Sequence, residues 1–357
     1  YASMRCPSIQ PQSIRFHRVL GRSAIAIERV VNRYRASKRT GRKLTGPIDQ
    51  ADLTAQESLR ESMTSSVRSI FHGIYSRGYE RALSDADADV YIQVCAGRPT
   101  GYVASFCRDR AKPFIFRSTC LWDADLSFRR GFSSWRVYTK RLYLQGVRQA
   151  DIVATNSMDS ARAFTQYMDK FKVRFIPDGF HVLPCPDLSR KNGYVLWVAR
   201  DASYKRSWLY ADLARMLPKH QFVMVGNVRE IRDPPSNLRL LGLRKPSELP
   251  EIYSGARVLV STSEVEGFPN VLVEAGIHGV PYVGFLDPDN VVTEHNLGLQ
   301  VRDLSDMARK VDMLMSDEAL RLRLGKNARR FAKEHRDIEK VVTRWLALLE
   351  EVVHKKG

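Results

Sequence analysis

Short apolar runs alternate with helical segments of about ten residues through the second half of the chain, and this alternation constrains the fold more than any other feature. Strand-like runs occur at 194–199, 221–226, 237–242, 257–263 and 281–285. Helical spacing occurs at 206–217, 247–256 and 269–279. Because strands of this kind form parallel sheets covered by helices on both faces, the pattern predicts a doubly wound α/β domain.

The first half of the chain shows the same alternation more weakly. Strands are predicted at 89–96, 112–119, 150–157 and 172–179, with a helix at 136–149 among them. Residues 1–50 hold too few bulky apolar side chains in any period to define an element, so we expect them to be irregular or loosely helical. The pattern therefore predicts a second Rossmann-like unit that is truncated or divergent and lacks its opening strand.

A chain of 357 residues exceeds what one hydrophobic core usually serves, which predicts two domains. We place an N-terminal domain at 1–180 and a proline-containing linker at 181–193. The second domain follows at 194–335, and the amphipathic segment 336–357 is expected to form a helix that packs back on the first domain. Two such domains would face each other across a cleft, where ligands of these folds bind.

The composition indicates a soluble protein of a reducing compartment. No apolar run approaches the roughly 20 residues of a membrane span, and the N-terminal residues lack the apolar block of a signal peptide. The five cysteines are scattered, without Cys-x-x-Cys spacing. We therefore expect a cytoplasmic location. Because the sequence begins with Tyr1, we also expect that a stretch upstream is missing.

Positive charge is concentrated in the first half of the chain. Of the net charge of +18, most lies in residues 1–180, which carry 30 basic and 16 acidic side chains. Such an excess attracts polyanions, which include nucleic acids, anionic membrane surfaces and phosphorylated substrates, although a solubilising basic tail has the same composition. No RNA-binding signature, zinc-finger spacing or leucine zipper is present, so no specific nucleic-acid partner is predicted.

The segment EGFPNVLVE predicts a phosphate-binding helix start at the edge of the second sheet. Pro269 suits the first position of a helix, where its missing N–H is not needed. The free N–H groups of Asn270, Val271 and Leu272 would then point outward with the positive end of the helix dipole. Gly267 would let a ligand approach the backbone closely.

Two glutamates bracket this helix start. Glu266 precedes it and Glu274 lies within the helix, so one carboxylate could bind sugar hydroxyls and the other ribose hydroxyls on either side of a diphosphate. A nucleotide sugar has that layout. The alternative is that Asn270, Glu274 and His278, spaced by four, form the solvated stripe of an amphipathic helix.

Two cations are predicted at the same sheet edge. Arg200 and Lys205 lie on the loop between the first strand of the second domain and its helix. Fixed cations beside a helix N-terminus hold a diphosphate and stabilise the charge that grows on it as it leaves.

The segment STSEVEGFPNVLVEAGIHGVPYVGF resembles the signature of glycosyltransferase family 4, the group 1 glycosyltransferases of GT-B fold. Glu266 and Glu274 have the family's spacing of seven intervening residues, and VARDASYK is similar to its Gly-Arg loop with Lys five residues after Arg. IPDGFH at 176–181 resembles the family's segment before the interdomain linker. The resemblance extends over about residues 150–352.

This resemblance implies a function and a site. Arg200 and Lys205 would bind the diphosphate of a nucleotide-sugar donor and Glu274 its ribose. The donor sugar and distal phosphate would be held by Glu266 and by the backbone of Gly267, Phe268, Pro269, Asn270 and Val271. The expected reaction transfers a hexose-type sugar to a hydroxyl acceptor with retention at the anomeric carbon. Neither a metal nor a cofactor is expected beyond the nucleotide-diphosphate-sugar itself.

The sequence departs from the family at several positions. Ala199 and Arg206 stand where the family has glycines, Asp178 replaces an asparagine, and DPDN at 287–290 replaces a glycine pair. Arg206 would either crowd the loop or add a phosphate contact. The usual histidine of the first domain is also not evident. Its candidate substitutes are Arg117, Ser118 and Asp123, unless these are ordinary loop residues.

Two alternatives to a transferase stay open at this stage. A nucleotide-sugar epimerase would use the same donor seat with acid and base groups from the first domain, and a non-catalytic protein would bind a nucleotide sugar or a polyanion. For a transferase, the basic first domain fits a lipid-linked or cell-surface glycan acceptor and a peripheral contact with an anionic membrane. The sequence specifies neither the base, the sugar, the acceptor nor the oligomeric state.

Overall fold

The computed structural model describes residues 76–129, 131–182, 193–226, 231 and 233–354. Within them the chain forms two parallel sheets, one of four strands and one of six. The predictions for residues 1–50, for most of the linker at 181–193 and for the last three residues lie outside the described residues.

The first sheet has four parallel strands in sequential order. Its strands are β1 Tyr91–Val94, β2 Phe114–Ser118, β3 Ile152–Thr155 and β4 Val173–Phe175. Each lies inside the range predicted from the sequence and is shorter than it. A doubly wound sheet reverses its strand order once, and within the described part of this domain the order does not reverse.

Helices cover one face of this sheet. A helical segment at 76–86 precedes β1, and three further helices are α1 Arg98–Asp109, α2 Val137–Gln149 and α3 Met158–Thr165. Phe114 and Phe116 of β2 pack under them with Tyr143 and Phe164, all at most 1% exposed. Because successive side chains of a strand point to opposite faces, the residues between these phenylalanines face the other side of the sheet.

The second sheet contains the strands β5 Tyr194–Val198, β6 Gln221–Val225, β7 Leu238–Leu240, β8 Ala256–Ser261, β9 Tyr282–Gly284 and β10 Gly298–Gln300. Their spatial order is β10-β9-β8-β5-β6-β7, all parallel. This is the strand order of a dinucleotide-binding Rossmann sheet, with the order reversing between β5 and β8. Ligands of such sheets bind outside the carboxyl ends of the strands at that switch point.

Helices of the second domain cover both faces of this sheet, and five of those in the described residues precede residue 318. They are α4 Ser207–Met216, α5 Leu249–Gly255, α6 Asn270–Ile277, α7 Val291–Glu294 and α8 Leu304–Ser316. Side chains alternate between the two cores, since Val195 and Trp197 enter one and Leu196 enters the other. Three of these helices lie where periodicity predicted them, with ends shifted by a few residues, whereas α7, α8 and β10 were not individually predicted.

Two C-terminal helices, α9 Glu318–His335 and α10 Ile338–His354, complete the described chain. The second of them, α10, packs on the open face of the first sheet. Its Val341 and Leu348 share an apolar cluster with Ile115 and Ile152, and Glu351 pairs with a β4 arginine. The chain thus crosses between the domains twice, and the two crossings are joined by hydrogen bonds between Phe180 and residues 336 and 338.

Candidate active site

The loops after β5 and β8 meet at the switch point of the second sheet. The hydroxyl of Thr262 donates to the carbonyl of Lys205 at 2.5 Å, and the N–H of Glu264 donates to the carbonyl of Tyr204 at 2.8 Å. Arg206 has a left-handed backbone (φ 49°), and its Nε donates to the Thr262 carbonyl at 2.7 Å. Arg206 therefore ties the two loops together, which is a different role from either of those expected from the sequence.

Lys205 and Glu266 form an ion pair between the two loops. Their side chains are only 15% and 16% exposed, so the pair is largely withdrawn from water. Parallel neighbouring strands bring their carboxyl ends to the same edge, which is why residues 61 positions apart in sequence meet here. The structure thus brings one predicted cation and one predicted carboxylate into direct contact.

Arg200 lies at the same edge but is exposed. Its Nε donates to the Tyr204 hydroxyl at 3.2 Å, and its guanidinium lies 5.7 Å from the centre of that ring. The Tyr204 ring also contacts Trp122 of the first domain, with ring centres 5.7 Å apart. Tyr204 therefore holds Arg200 and contacts the first domain, and the guanidinium of Arg200 remains accessible to an anion.

The helix start that follows Glu266 differs in detail from the prediction. Pro269 is the N-cap and α6 begins at Asn270, one residue later than expected. The N–H of Leu272 donates to the Pro269 carbonyl at 3.1 Å, so it is not available to a ligand. A tightened first turn of this kind is common where a helix begins. Asn270 is exposed and Val271 is half-buried at this end of the helix.

Phe268 does not line the site. It is 5% exposed and belongs to the core beneath α6, stacked against Phe331 with ring centres 6.5 Å apart. The guanidinium of Arg336 covers its ring at 3.6 Å. The buried Phe268 ring therefore anchors this turn, because it fixes the backbone on either side of it, and the expected contact of the Phe268 backbone with the donor stays a prediction.

Glu274 faces a different environment from Glu266. Its carboxylate accepts a hydrogen bond from the Tyr253 hydroxyl at 2.6 Å. Burial raises the pKa of Glu274, and the hydrogen bond from Tyr253 partly lowers it. The alternative of a solvated stripe fails at His278, which is 7% exposed, stacked on Tyr253 and within 3.1 Å of Ser254 Oγ.

Gly267 lies against the backbone of the first domain. It forms an antiparallel bridge with Cys120, and the N–H of Leu121 reaches the carbonyl of Glu266 at 3.4 Å. A Cβ on Gly267 would lie 2.4 Å from the Thr119 carbonyl oxygen and 2.6 Å from Oδ1 of an asparagine. Glycine is thus required here for the approach of the other domain, whereas the sequence suggested the approach of a ligand.

Two cysteines belong to the site although sequence reasoning did not single them out, Cys120 after β2 and Cys95 after β1. Burial raises the pKa of the Cys120 thiol to about 11, and the nearby Glu266 carboxylate contributes in the same direction. At neutral pH this thiol is therefore protonated. Cys95, after β1, has its Sγ 3.2 Å from Thr119 Oγ1 and is exposed. The signal available in the sequence was that Cys95 lies near the end of the strand predicted at 89–96 and that Cys120 directly follows the strand predicted at 112–119.

The three candidates for the missing first-domain histidine all have internal partners. Arg117 is 5% exposed and donates to Asp178 at 2.7 Å and to the Ile176 carbonyl at 2.5 Å. Asp123 is 2% exposed and accepts from the Ser118 hydroxyl and from backbone N–H groups of the same loop. Arg117 and Ser118 are the last two residues of β2 and Asp123 lies in the turn that follows, so the three residues hold the strand end, this turn and the interdomain crossing together.

In the described part of the chain, no three or more His, Cys, Asp or Glu side chains lie together in an arrangement that could hold a metal ion. None of the helices described there combines the length and the apolarity that crossing a membrane requires.

Two Rossmann-like domains that meet at the carboxyl ends of their strands define the GT-B architecture. Sucrose-phosphate synthase from Thermosynechococcus elongatus has this fold, with a TM-score of 0.67 and 17% identity over 79% of this chain and 78% of that one. HepE from Anabaena, solved with UDP and glucose, gives a TM-score of 0.64 and 16% identity over 77% of this chain and 82% of that one. The predicted fold class is confirmed.

Residues 192–317 match the family described as Glycosyl transferases group 1. One relative, N,N'-diacetylbacillosaminyl-diphospho-undecaprenol alpha-1,3-N-acetylgalactosaminyltransferase of Campylobacter jejuni, is 29% identical over 175 residues, 46% of each protein. An alpha-1,4-N-acetyl-D-galactosaminyltransferase of the same organism is 25% identical over 45% of this chain and 49% of that protein. The matches span about half the length of these relatives. Over residues 192–317 the second domain is thus similar to the group 1 glycosyltransferases, which confirms the resemblance that its glutamate motif predicted.

Proposed function

We propose that this protein transfers a sugar from a nucleotide-diphosphate-sugar donor to a hydroxyl acceptor. The observation that carries the proposal is the convergence, at the switch point of the second sheet, of the Lys205–Glu266 pair, the accessible Arg200 and the start of α6. Two cations and a helix N-terminus attract the diphosphate, and carboxylates on either side of them accept hydrogen bonds from hydroxyl groups.

Donor binding would exchange the partner of Lys205. A diphosphate that enters the seat takes the place of the Glu266 carboxylate at Nζ, which frees Glu266 to accept hydrogen bonds from the hydroxyls of the donor sugar. Glu274, oriented by Tyr253 at 2.6 Å, would receive the ribose hydroxyls. As the glycosidic bond breaks, negative charge grows on the diphosphate, and preorganised cations stabilise that charge more in the transition state than in the ground state.

The same charges support a reaction that needs no metal ion, with retention at the anomeric carbon, as the family resemblance implies. Lys205 and Arg200 together place two positive charges beside the helix end. In metal-dependent enzymes a divalent cation stabilises the same developing negative charge. The first-domain segment at Cys120 closes over Gly267 and would exclude water from a donor that is prone to hydrolysis.

For the acceptor we propose a lipid-linked or cell-surface glycan precursor, reached at the cytoplasmic surface of a membrane. The 29% identical relative is named for a diphospho-undecaprenol acceptor. Helix α2 of the first domain exposes Val137 and Tyr138, at 65% and 42%, beside the exposed Arg136 and Arg141. A basic helix end with exposed apolar side chains suits an anionic bilayer surface. Equal co-sedimentation of the protein with neutral and with anionic vesicles would contradict the proposed contact with an anionic membrane surface.

A thermal-shift panel of UDP-, GDP- and ADP-sugars tests the donor site. We expect at least one of them to raise the melting temperature of the wild type, and we expect Lys205→Ala and Glu274→Ala to lose that increase. Glu264→Ala is the matched control for the carboxylate, because Glu264 is exposed and only its backbone N–H contacts Tyr204. Equal shifts in the wild type and both site variants would contradict the assignment.

Labelled donor then separates transfer from the rival functions. Incorporation of label into a lipid or glycan acceptor supports the proposal, release of an isomerised free sugar indicates an epimerase, and binding with neither product indicates a non-catalytic protein. The anomeric configuration of the product, read by NMR, tests retention, and activity that persists after treatment with a chelator tests metal independence.

A further inference from the structure

The loop after β9 carries two consecutive residues in a conformation that side chains disfavour. Asp289 and Asn290 have φ values of 55° and 59°, in the left-handed region. This is the place where the sequence has DPDN instead of a glycine pair, and glycine adopts this conformation at no steric cost. Strain of this kind persists only where surrounding contacts compensate for it. The contacts of Asp289 supply that compensation.

The Asp289 carboxylate crosses to the first domain and caps helix α3. Its two oxygens accept from the N–H of Met158 at 3.0 Å and from the N–H of Asp159 at 2.8 Å. In return, the Asp159 carboxylate accepts from the N–H of Asp289 at 3.0 Å. The contact is therefore reciprocal, and it joins residues 130 positions apart that belong to different domains.

Helix α3 already has an N-cap residue of its own, so only the backbone N–H groups that this residue does not bind remain for Asp289. Ser157 is the N-cap, and its Oγ accepts from the N–H of Ser160 at 3.1 Å. The N–H groups of the first two helical residues have no intrahelical acceptor, and the positive end of the helix dipole favours a carboxylate beside them. Asp289 satisfies both groups with one side chain, so this interdomain contact is specific in geometry as well as in charge.

A buried arginine at the second crossing between the domains attracts the Asp289 carboxylate. Arg336 is 3% exposed, and its Nε and Nη1 have no hydrogen-bond partner. Burial lowers the pKa of its guanidinium to about 10, and attraction by Asp289 and Asp178 acts in the opposite direction. A buried cation is tolerated only with such anions near it. Both acidic residues stand where the family has uncharged ones, so the two departures from the family pattern surround the same arginine.

We propose that Asp289 is a positioning residue that holds the first domain closed over the donor seat by capping α3. The loop that carries Asp289 follows β9, the neighbour of β8, so it extends from the same sheet edge as Glu266. Closing this contact brings the first-domain strand ends towards that edge, where Cys120 meets Gly267. The consequence for catalysis rests on the proposed function, whereas the contact itself does not.

The decisive variants are Asp289→Gly and its neighbour control Asn290→Gly. Both relieve a left-handed backbone, but only the first removes the interdomain carboxylate. Hydrogen exchange followed by mass spectrometry reports on the amides of Met158 and Asp159 directly. We expect these amides to exchange about tenfold faster or more in Asp289→Gly, and at the wild-type rate in Asn290→Gly. Small-angle scattering should show a larger radius of gyration for Asp289→Gly alone.

The transfer reaction supplies the second readout. With a donor identified by thermal shift, Asp289→Gly is expected to lower kcat about tenfold at nearly unchanged donor KM, because closure is weakened while the donor seat is intact. Asp289→Asn keeps one acceptor oxygen and should lie between the wild type and the glycine variant. Unchanged amide exchange and scattering in Asp289→Gly would overturn the proposal even if transfer is observed. Absence of transfer in every variant, with faster exchange in Asp289→Gly, would refute only the proposed function.

Discussion

The contribution of the Lys205–Glu266 ion pair to the free energy of unfolding can be measured in the protein without donor. Both side chains are at least 84% removed from solvent, and the pair connects the loops after β5 and β8. Lys205→Met keeps the length of the apolar stem and removes the charge, and Glu266→Gln keeps the shape of the carboxylate. Each variant leaves the other group buried without its partner, and the double variant leaves neither charge.

The magnitude follows from the degree of burial. Removing one partner of a fully buried pair costs about 3–5 kcal/mol, and exposed pairs are worth about 0–1 kcal/mol. For a pair at 15% and 16% exposure we expect each single variant to lose about 2 kcal/mol of unfolding free energy. The double variant should regain about half of the summed loss, which is a coupling of about 2 kcal/mol.

Urea unfolding of the four proteins, followed by tryptophan fluorescence, completes this double-mutant cycle. Trp197 lies in the core of the same domain, with its Nε1 bonded to Thr262 between the two loops. With a denaturant slope of about 2 kcal/mol/M, each single variant should shift the midpoint down by about 1 M. If the loss in the double variant equals the sum of the two single losses within about 0.5 kcal/mol, Lys205 and Glu266 behave as independent sites, and the interpretation of them as a coupled ion pair is refuted.

Three further predictions concern the same region. Gly267→Ala should lower kcat by about tenfold or more, because its Cβ would meet the first-domain backbone at 2.4 Å, whereas Gly78→Ala, with nothing within 4 Å, should not. Burial raises the pKa of Glu274 in the folded protein above the usual value of 4.5, so the stabilising contribution of the protonated carboxyl is lost as it ionises at higher pH. The unfolding free energy of Glu274→Gln should therefore rise relative to that of the wild type as pH increases above 4.5. A difference between the two proteins that does not depend on pH would contradict this prediction. Peptide-resolved maleimide labelling at pH 8 should modify the exposed Cys95 well before Cys120, whose pKa is about 11; equal rates would refute it.

Much of the second domain could be predicted because its strands are buried on both faces. A strand such as Val195 to Val198 must be apolar throughout, and short apolar runs separated by helical periods leave few alternatives to a parallel sheet. The ends of elements were less predictable. Helix α6 starts at Asn270 and ends at Ile277, inside the predicted range, because the cap and the last turn depend on contacts outside the helix.

The position of the charged site residues could be predicted from the sequence, whereas the direction of some neighbouring side chains could not. Arg200, Lys205 and Glu266 follow strands whose order is that of a doubly wound sheet, so their common edge follows from topology. Phe268 belongs to the same motif, but its ring turns into the core under Arg336. Direction of a side chain within a turn depends on what packs against the turn, and adjacent motif residues therefore acquired opposite roles.

What the sequence by itself determined is the succession of strands and helices and the placement of the charged residues of the second domain at the ends of particular strands. These properties are local, because they depend on periodicity and on residue type within a few turns of chain. The tertiary structure decided which groups from distant segments meet: Cys120 with Gly267, and Asp289 with the first turn of α3. Such contacts depend on the relative placement of two domains, which burial and hydrogen bonding across the whole chain determine and no local pattern encodes.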